Sequence, residues 1–179
     1  ISQDRIFSLF EDDQQRLWIG TRRGLNVLDL RTDKVHRIKM PADVNMKQQV
    51  VYGITQATKA RLWVATSAGL MLFDPANKQF TKWQPEPSVR ADFVGEVRAI
   101  LRDKSAGIWI GQASTIAHIN ADGQLLEHFK STQHQDSKTL QDSQALVRSL
   151  AFDNQGQLWV GLTGGLRIWR VHQQAALAV

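Results

Sequence analysis

The sequence predicts an all-β protein made of one sheet-forming unit written four times, and three observations carry that prediction. A tryptophan recurs in nearly the same setting, RLWIGTRRGL at Trp18, RLWVATSAGL at Trp63, GIWIGQASTI at Trp109 and QLWVGLTGGL at Trp159, at intervals of 45, 46 and 50 residues. Around these tryptophans about 24 residues align without a gap, from Ile6, Val51, Val97 and Val147 to Asp29, Asp74, Asn120 and Arg170. No unit holds a 10-residue stretch of 3.6-residue periodicity, so helical and leucine-rich repeats are disfavoured. A period near 45 residues with strand-like segments is that of a β-propeller blade, which buries its apolar faces only against its neighbours.

Each unit opens with a short segment rich in β-branched and aromatic residues, IFSLF, VYGIT, VRAIL or VRSLA, which reads as the innermost strand a. A small residue stands two positions after its start, at Ser8, Gly53, Ala99 and Ser149, as suits the crowded strand nearest a propeller axis. A polar turn follows, Asp12-Asp13-Gln14-Gln15 in the first unit and Asp153-Asn154-Gln155-Gly156 in the last, and makes an a–b hairpin. Strand b (LWIG, LWVA, IWIG, LWVG) is apolar on both faces and therefore fits a sheet sandwiched between two others. Its tryptophan reads as packing between blades. Gly24, Gly69 and Gly165 mark the turn into strand c, and residues 35–38, 79–83, 125–130 and 175–179 read as the outer strand d. The blades are expected at 4–40, 49–83, 95–130 and 145–179 of one propeller segment, 1–179. The connections 41–49, 84–94 and 131–144 lengthen along the chain and gather on one face, where a ligand or partner is expected.

Composition narrows the function classes. A net charge of +5 suggests an anionic partner, but Lys and Arg are scattered singly, with Arg22-Arg23 the one adjacent pair, which argues against nucleic acid. There is no cysteine, so disulfides, thiolate metal sites and cysteine nucleophiles are excluded. No apolar run reaches the roughly 20 residues of a membrane-spanning helix. The chain opens directly inside a repeat, ISQDRIFSLF, and an excerpt of a longer protein is expected.

The pattern of apolar strand, D-x-x-G-like turn, LWIGT, then GL and a closing Asp resembles the two-component regulator propeller repeat, and IFSLFEDDQQRLWIGTRRGLNVLDL carries it nearly whole. The second unit departs at Ala65 and Ala57, the third at Gln112 and Thr115, the fourth at Leu162 and Arg170. The resemblance implies a piece of the periplasmic sensor region of an inner-membrane bacterial receptor, of hybrid two-component or diguanylate cyclase type. It also implies a partial propeller, four of about seven blades, with a closed four-blade ring as the alternative. An open piece leaves two apolar blade faces for self-association or for the remaining blades of a parent protein.

Catalytic chemistry is thinly represented. His36, His118, His128, His134 and His172 form no H-E-x-x-H or i, i+4 pair, and scattered surface histidines are expected, with no metal and no cofactor. Gly161-Leu162-Thr163-Gly164-Gly165 lies between strands b and c, opens no helix and reads as a tight turn. A metal-assisted lyase or hydrolase on the same scaffold, built around His118, and a purely structural docking propeller remain as alternatives to a non-catalytic sensor. The column Phe7, Tyr52, Arg98, Arg148, one step along strand a, is the candidate site. Two arginines beside two aromatics suit a small anionic ligand or an oligosaccharide, set against plain packing between blades. Arg22 and Arg23 on the first b–c turn, and the off-pattern Trp83 and Trp169, complete the candidates, the tryptophans as blade-edge packing or as stacking platforms.

Overall fold

A computed structural model describes residues 5–41, 49–130 and 146–169. The first three repeats each fold as a four-stranded antiparallel sheet in simple meander order: β1 (Ile6–Glu11), β2 (Arg16–Thr21), β3 (Gly24–Asp29) and β4 (Lys34–Arg37); β5 (Val51–Thr58), β6 (Arg61–Thr66), β7 (Gly69–Asp74) and β8 (Gln79–Lys82); β9 (Val97–Arg102), β10 (Ile108–Gln112), β11 (Thr115–Ile119) and β12 (Leu125–Lys130). The fourth blade contributes β13 (Val147–Phe152), β14 (Leu158–Leu162) and β15 (Gly165–Trp169); its expected outer strand, 175–179, lies outside the described residues. So do His134, His172 and most of the connections 41–49 and 131–144.

Successive sheets stack through their faces, and each interface is built the same way. The face of blade 1 that carries Trp18, Leu25 and Val27 packs on Ile54, Leu62, Val64 and Phe73 of blade 2. Trp63, Ala65 and Leu70 of blade 2 meet Ile108, Ile110 and Ile119 of blade 3, and Trp109 and Ile116 of blade 3 meet Leu158 and Val160 of blade 4. The repeated tryptophans are thus the constant packing layer. Innermost strands stand in the order β1, β5, β9, β13, and among the described residues β13 makes no extended packing with β1. The propeller is therefore partial. Its end faces show it: Leu9 is 59% exposed where its counterpart Ile54 is 7% exposed, and Leu166 is 60% exposed where Leu25 is fully buried.

The small-residue column and the strand-b glycine prove to be one feature. Ser8 pairs with Gly20, Gly53 with Ala65, Ala99 with Gly111 and Ser149 with Gly161, so every pair contains a glycine. A Cβ on Gly111 would stand 2.3 Å from Val147 Cγ1 of the next blade, and one on Gly20 would stand 2.9 Å from the Val51 carbonyl oxygen. Ala65, a departure from the repeat pattern, is matched by a glycine on the partner strand at Gly53.

The b–c turns need a positive φ, met by Gly24 (+111°) and Gly69 (+113°). Blade 3 has Thr115 where the glycine would be, and the left-handed residue there is Ala113 (+49°) instead. The threonine of LWIGT clamps this turn: Thr21 Oγ1 donates to Gly24 O at 3.0 Å and Thr66 Oγ1 to Gly69 O at 2.8 Å.

Candidate functional site

The row of residues one step into strand a has a structural cause that alternation alone did not reveal. In all four blades the a–b pairing carries a β-bulge at this point. Ile6 faces Thr21 and Ser8 faces Gly20, leaving Phe7 as the extra residue, and the same shift singles out Tyr52, Arg98 and Arg148. A bulge breaks the ladder locally and re-aims the side chain it carries. Because the innermost strands are neighbours in chain order, four re-aimed side chains form one row.

Contacts run along this row. The rings of Phe7 and Tyr52 meet edge to face with centroids 5.6 Å apart, and the Arg98 guanidinium lies over the Tyr52 ring at 4.7 Å. Glu96 holds both: its Oε2 accepts the Tyr52 hydroxyl at 3.2 Å and pairs with Arg98 Nη2. The Tyr52 phenol is pushed above its ordinary pKa by burial first and by the Glu96 charge next, with Arg98 and Arg148 pulling the other way. Arg148 is exposed and has no hydrogen bond or ion pair among the described residues. Phe7 is 43% exposed. The row therefore runs from the half-exposed Phe7 ring, through the Tyr52–Arg98–Glu96 cluster, to an Arg148 guanidinium without a partner among the described residues.

Glu96 went unsingled in the sequence. It occupies the position held by Arg5, Val50 and Leu146, where the residue's role is to accept a backbone N–H from the b–c turn, as Arg5, Val50, Glu96 and Leu146 all do. Only the carboxylate in a column otherwise free of acids signalled it. Arg22 and Arg23 are exposed on the first b–c turn, at the same end of the blade as Phe7; the Arg23 carbonyl accepts from Arg37. Trp83 lies between blades 2 and 3, donating from Nε1 to Gly123 O at 2.8 Å and meeting Phe93 edge to face. That is a packing position. Trp169 ends β15 opposite Leu158, and its side chain is outside the described residues.

The opposite end of the innermost strands carries a different constellation. Asp12 accepts Trp18 Nε1 at 2.7 Å, Arg16 Nε at 2.8 Å and the backbone N–H groups of Gln14 and Arg16. Burial works against the Asp12 charge, but the bonds from Arg16, Trp18 and the turn outweigh it and hold the carboxyl below its ordinary range. Asp153 repeats the arrangement, accepting Trp159 Nε1 at 2.9 Å, and its carboxyl is likewise lowered, chiefly by that bond. In blade 2 the aspartate is Ala57, and Trp63 Nε1 is buried with no partner. In blade 3 Asp103 takes His118 instead, Nε2 to Oδ2 at 2.5 Å, and Trp109 stacks on the imidazole at 4.4 Å with planes 7° apart. His118, expected as a surface residue, is 15% exposed, with Glu127 on its other nitrogen at 3.7 Å. The asymmetry arises because strand c of blade 3 puts an imidazole where the other blades carry Val27, Leu72 and Ile168. Among the described residues no group of three His, Cys, Asp or Glu side chains could hold a metal ion.

Residues 1–23 match the model of the two component regulator propeller family. The matched stretch includes β1, β2 and the start of the turn that follows. No curated protein matches the sequence. Among solved structures the chain is similar to the extracellular domain of the one component system BT4673 of B. thetaiotaomicron (TM-score 0.71, 16% identity, 96% of this chain and 22% of that one). It is also similar to the extracellular domain of the hybrid two component system BT3049 of the same organism (TM-score 0.67, 19% identity, 97% of this chain and 21% of that one). A streptogramin B lyase is similar at TM-score 0.61 and 14% identity, over 98% of this chain and 58% of that one. The chain thus spans about a fifth of the length of the first of these neighbours. At these identities the likeness is one of fold, and the family model matches residues 1–23 alone.

Proposed function

We propose that this chain is a non-catalytic binding segment within the sensor propeller of a bacterial receptor, working outside the cytoplasm, in the periplasm of a cell whose inner membrane holds the receptor. The observation that carries the reading is the fourfold bulge, which brings Phe7, Tyr52, Arg98 and Arg148 into one row at one end of the innermost strands. Four copies of one backbone device carrying four different side chains suit recognition better than packing, since the residues flanking the row, Val51, Val97 and Val147, already fill the interfaces. The extracellular domains of regulator systems among the structural neighbours, and the family match over residues 1–23, support the sensor setting.

The exposed end faces, with Leu9 and Val35 on blade 1 and Leu166 and Ile168 on blade 4, are proposed to receive further blades, either from the same parent protein or from a second copy. Engagement of a ligand at the row would bias how blades meet there and pass the signal on.

A thermal-shift screen of sugars, organic acids and amino acids tests the reading. Ligands that stabilise the chain, lose that effect on Tyr52→Ala, and are recovered chemically intact after long incubation are expected. Hits indifferent to Tyr52→Ala would overturn the site, and consumed ligands would overturn its non-catalytic character.

A further inference from the structure

The row is chemically graded, and the grading selects a ligand class. Two of its members are cations, Arg98 and Arg148, but only one of those charges is compensated. Glu96 pairs with Arg98 and takes the Tyr52 hydroxyl as well, so this carboxylate is committed twice over within the cluster. Arg98 is further fixed by lying over the Tyr52 ring. Arg148 has no hydrogen bond or ion pair among the described residues, and it stands at the same bulge on β13, the strand that packs beside β9. Within the row itself two guanidinium groups stand against one carboxylate, and that carboxylate is committed to Arg98, so Arg148 is the cation of the row without a partner among the described residues. At the other end the Phe7 ring touches Tyr52 by its edge and is half exposed.

Resting on the binding role proposed above for this row, we infer that its ligand is a small monoanion with a flat apolar face, a carboxylate-bearing ring. Arg148 takes the carboxylate in a bidentate pair, and the ring packs on Phe7 beside Tyr52. Glu96 sets the limit on charge: a second anionic group reaching toward Arg98 would meet a carboxylate already seated there, so monoanions are preferred over dianions. Neutral rings lose the Arg148 pair and bind more weakly. Both an aryl carboxylate and a sugar acid satisfy this chemistry.

The chain contains one tyrosine, and it stands inside the row, which makes the test direct. With 3-fluorotyrosine incorporated, the single 19F resonance reports on position 52. Sodium benzoate, sodium D-glucuronate, sodium phthalate and D-glucose are titrated in turn at constant ionic strength. The expected result is a saturable shift with benzoate or glucuronate at a dissociation constant of about 1 mM or tighter, and weaker binding of phthalate and glucose. Which of the two monoanions moves the resonance distinguishes an aryl acid from a sugar acid. Arg148→Gln should weaken binding of the active probe about tenfold or more, whereas Arg61→Gln, on the outside of blade 2 beside Asp74, should leave it unchanged. Glucose binding as tightly as glucuronate, with Arg148→Gln without effect, would overturn the anion class while leaving a ligand site at the row. No shift with any of the four probes would overturn the ligand class, and with it the row as their site. The broader binding role would then stand or fall with the thermal-shift screen and its Tyr52→Ala control.

Discussion

At one end of the innermost strands, blades 1 and 4 close the a–b turn with an aspartate that accepts the indole of the strand-b tryptophan, while blades 2 and 3 substitute Ala57 and the Asp103–His118 pair. At the other end, the same bulge is present in all four blades but its side chain is Phe, Tyr, Arg and Arg. The first end keeps its chemistry where it can and, in blade 2, leaves a buried donor unpaired where it cannot. The second keeps its backbone and varies its chemistry. The contrast separates what holds blades together from what the proposed ligand would meet.

The largest effect should come from the packing layer. Trp18→Ala removes a buried indole from the interface with Phe73 and should cost about 3–5 kcal/mol in urea unfolding. Next is crowding at the strand-b glycine: Gly111→Ala forces a methyl onto Val147 and should cost about 1–3 kcal/mol. The corresponding position in blade 2 holds Ala65, paired with Gly53.

Asp12→Ala should cost about 1–3 kcal/mol at neutral pH, because it strands the Trp18 indole as Ala57 strands that of Trp63. The Asp12 carboxyl titrates lower in the folded chain than in the unfolded one. Its contribution is therefore complete above about pH 4 and lost as pH falls through the folded value. Unfolding of Asp12→Ala followed from pH 7 down to about 3 should accordingly lose less stability than the parent chain. The smallest effect runs the other way: Ala57→Asp supplies the missing acceptor to Trp63 and should raise stability by about 1 kcal/mol. Blade 2 also carries a second bulge at Ala57, between Gln56 and Thr58, so a loss on Ala57→Asp would mean that this altered backbone aims position 57 away from the Trp63 indole.

The sequence made the blades legible because their pattern is set by burial, and burial repeats. Strands a, b and c, the packing role of Trp18, Trp63 and Trp109, and the b–c glycine turns all follow from residues that touch the same kind of neighbour in each copy. The candidate row was legible as a column but not as a cluster. Its cause is a backbone bulge, which changes pairing without changing composition, and its organiser Glu96 stands outside the aligned strand. The coupling of Ser8 with Gly20 and of Gly53 with Ala65 was visible only as two separate columns, because cross-strand pairing is not written in linear order. His118 misled for a related reason: its partner Asp103 belongs to the turn motif of the repeat, where blades 1 and 4 direct the aspartate to tryptophan.

The interfaces built on Trp18, Trp63 and Trp109 repeat from blade to blade, while the bulge keeps its backbone and varies its side chain. Arg148→Phe gives blade 4 the residue that blade 1 carries at the same bulge, and measuring urea unfolding together with the benzoate response at position 52 probes both halves at once. The expected result is stability within about 0.5 kcal/mol of the parent chain together with loss of the benzoate response. Destabilisation on the scale of Trp18→Ala, or a benzoate response that survives unchanged, would contradict it.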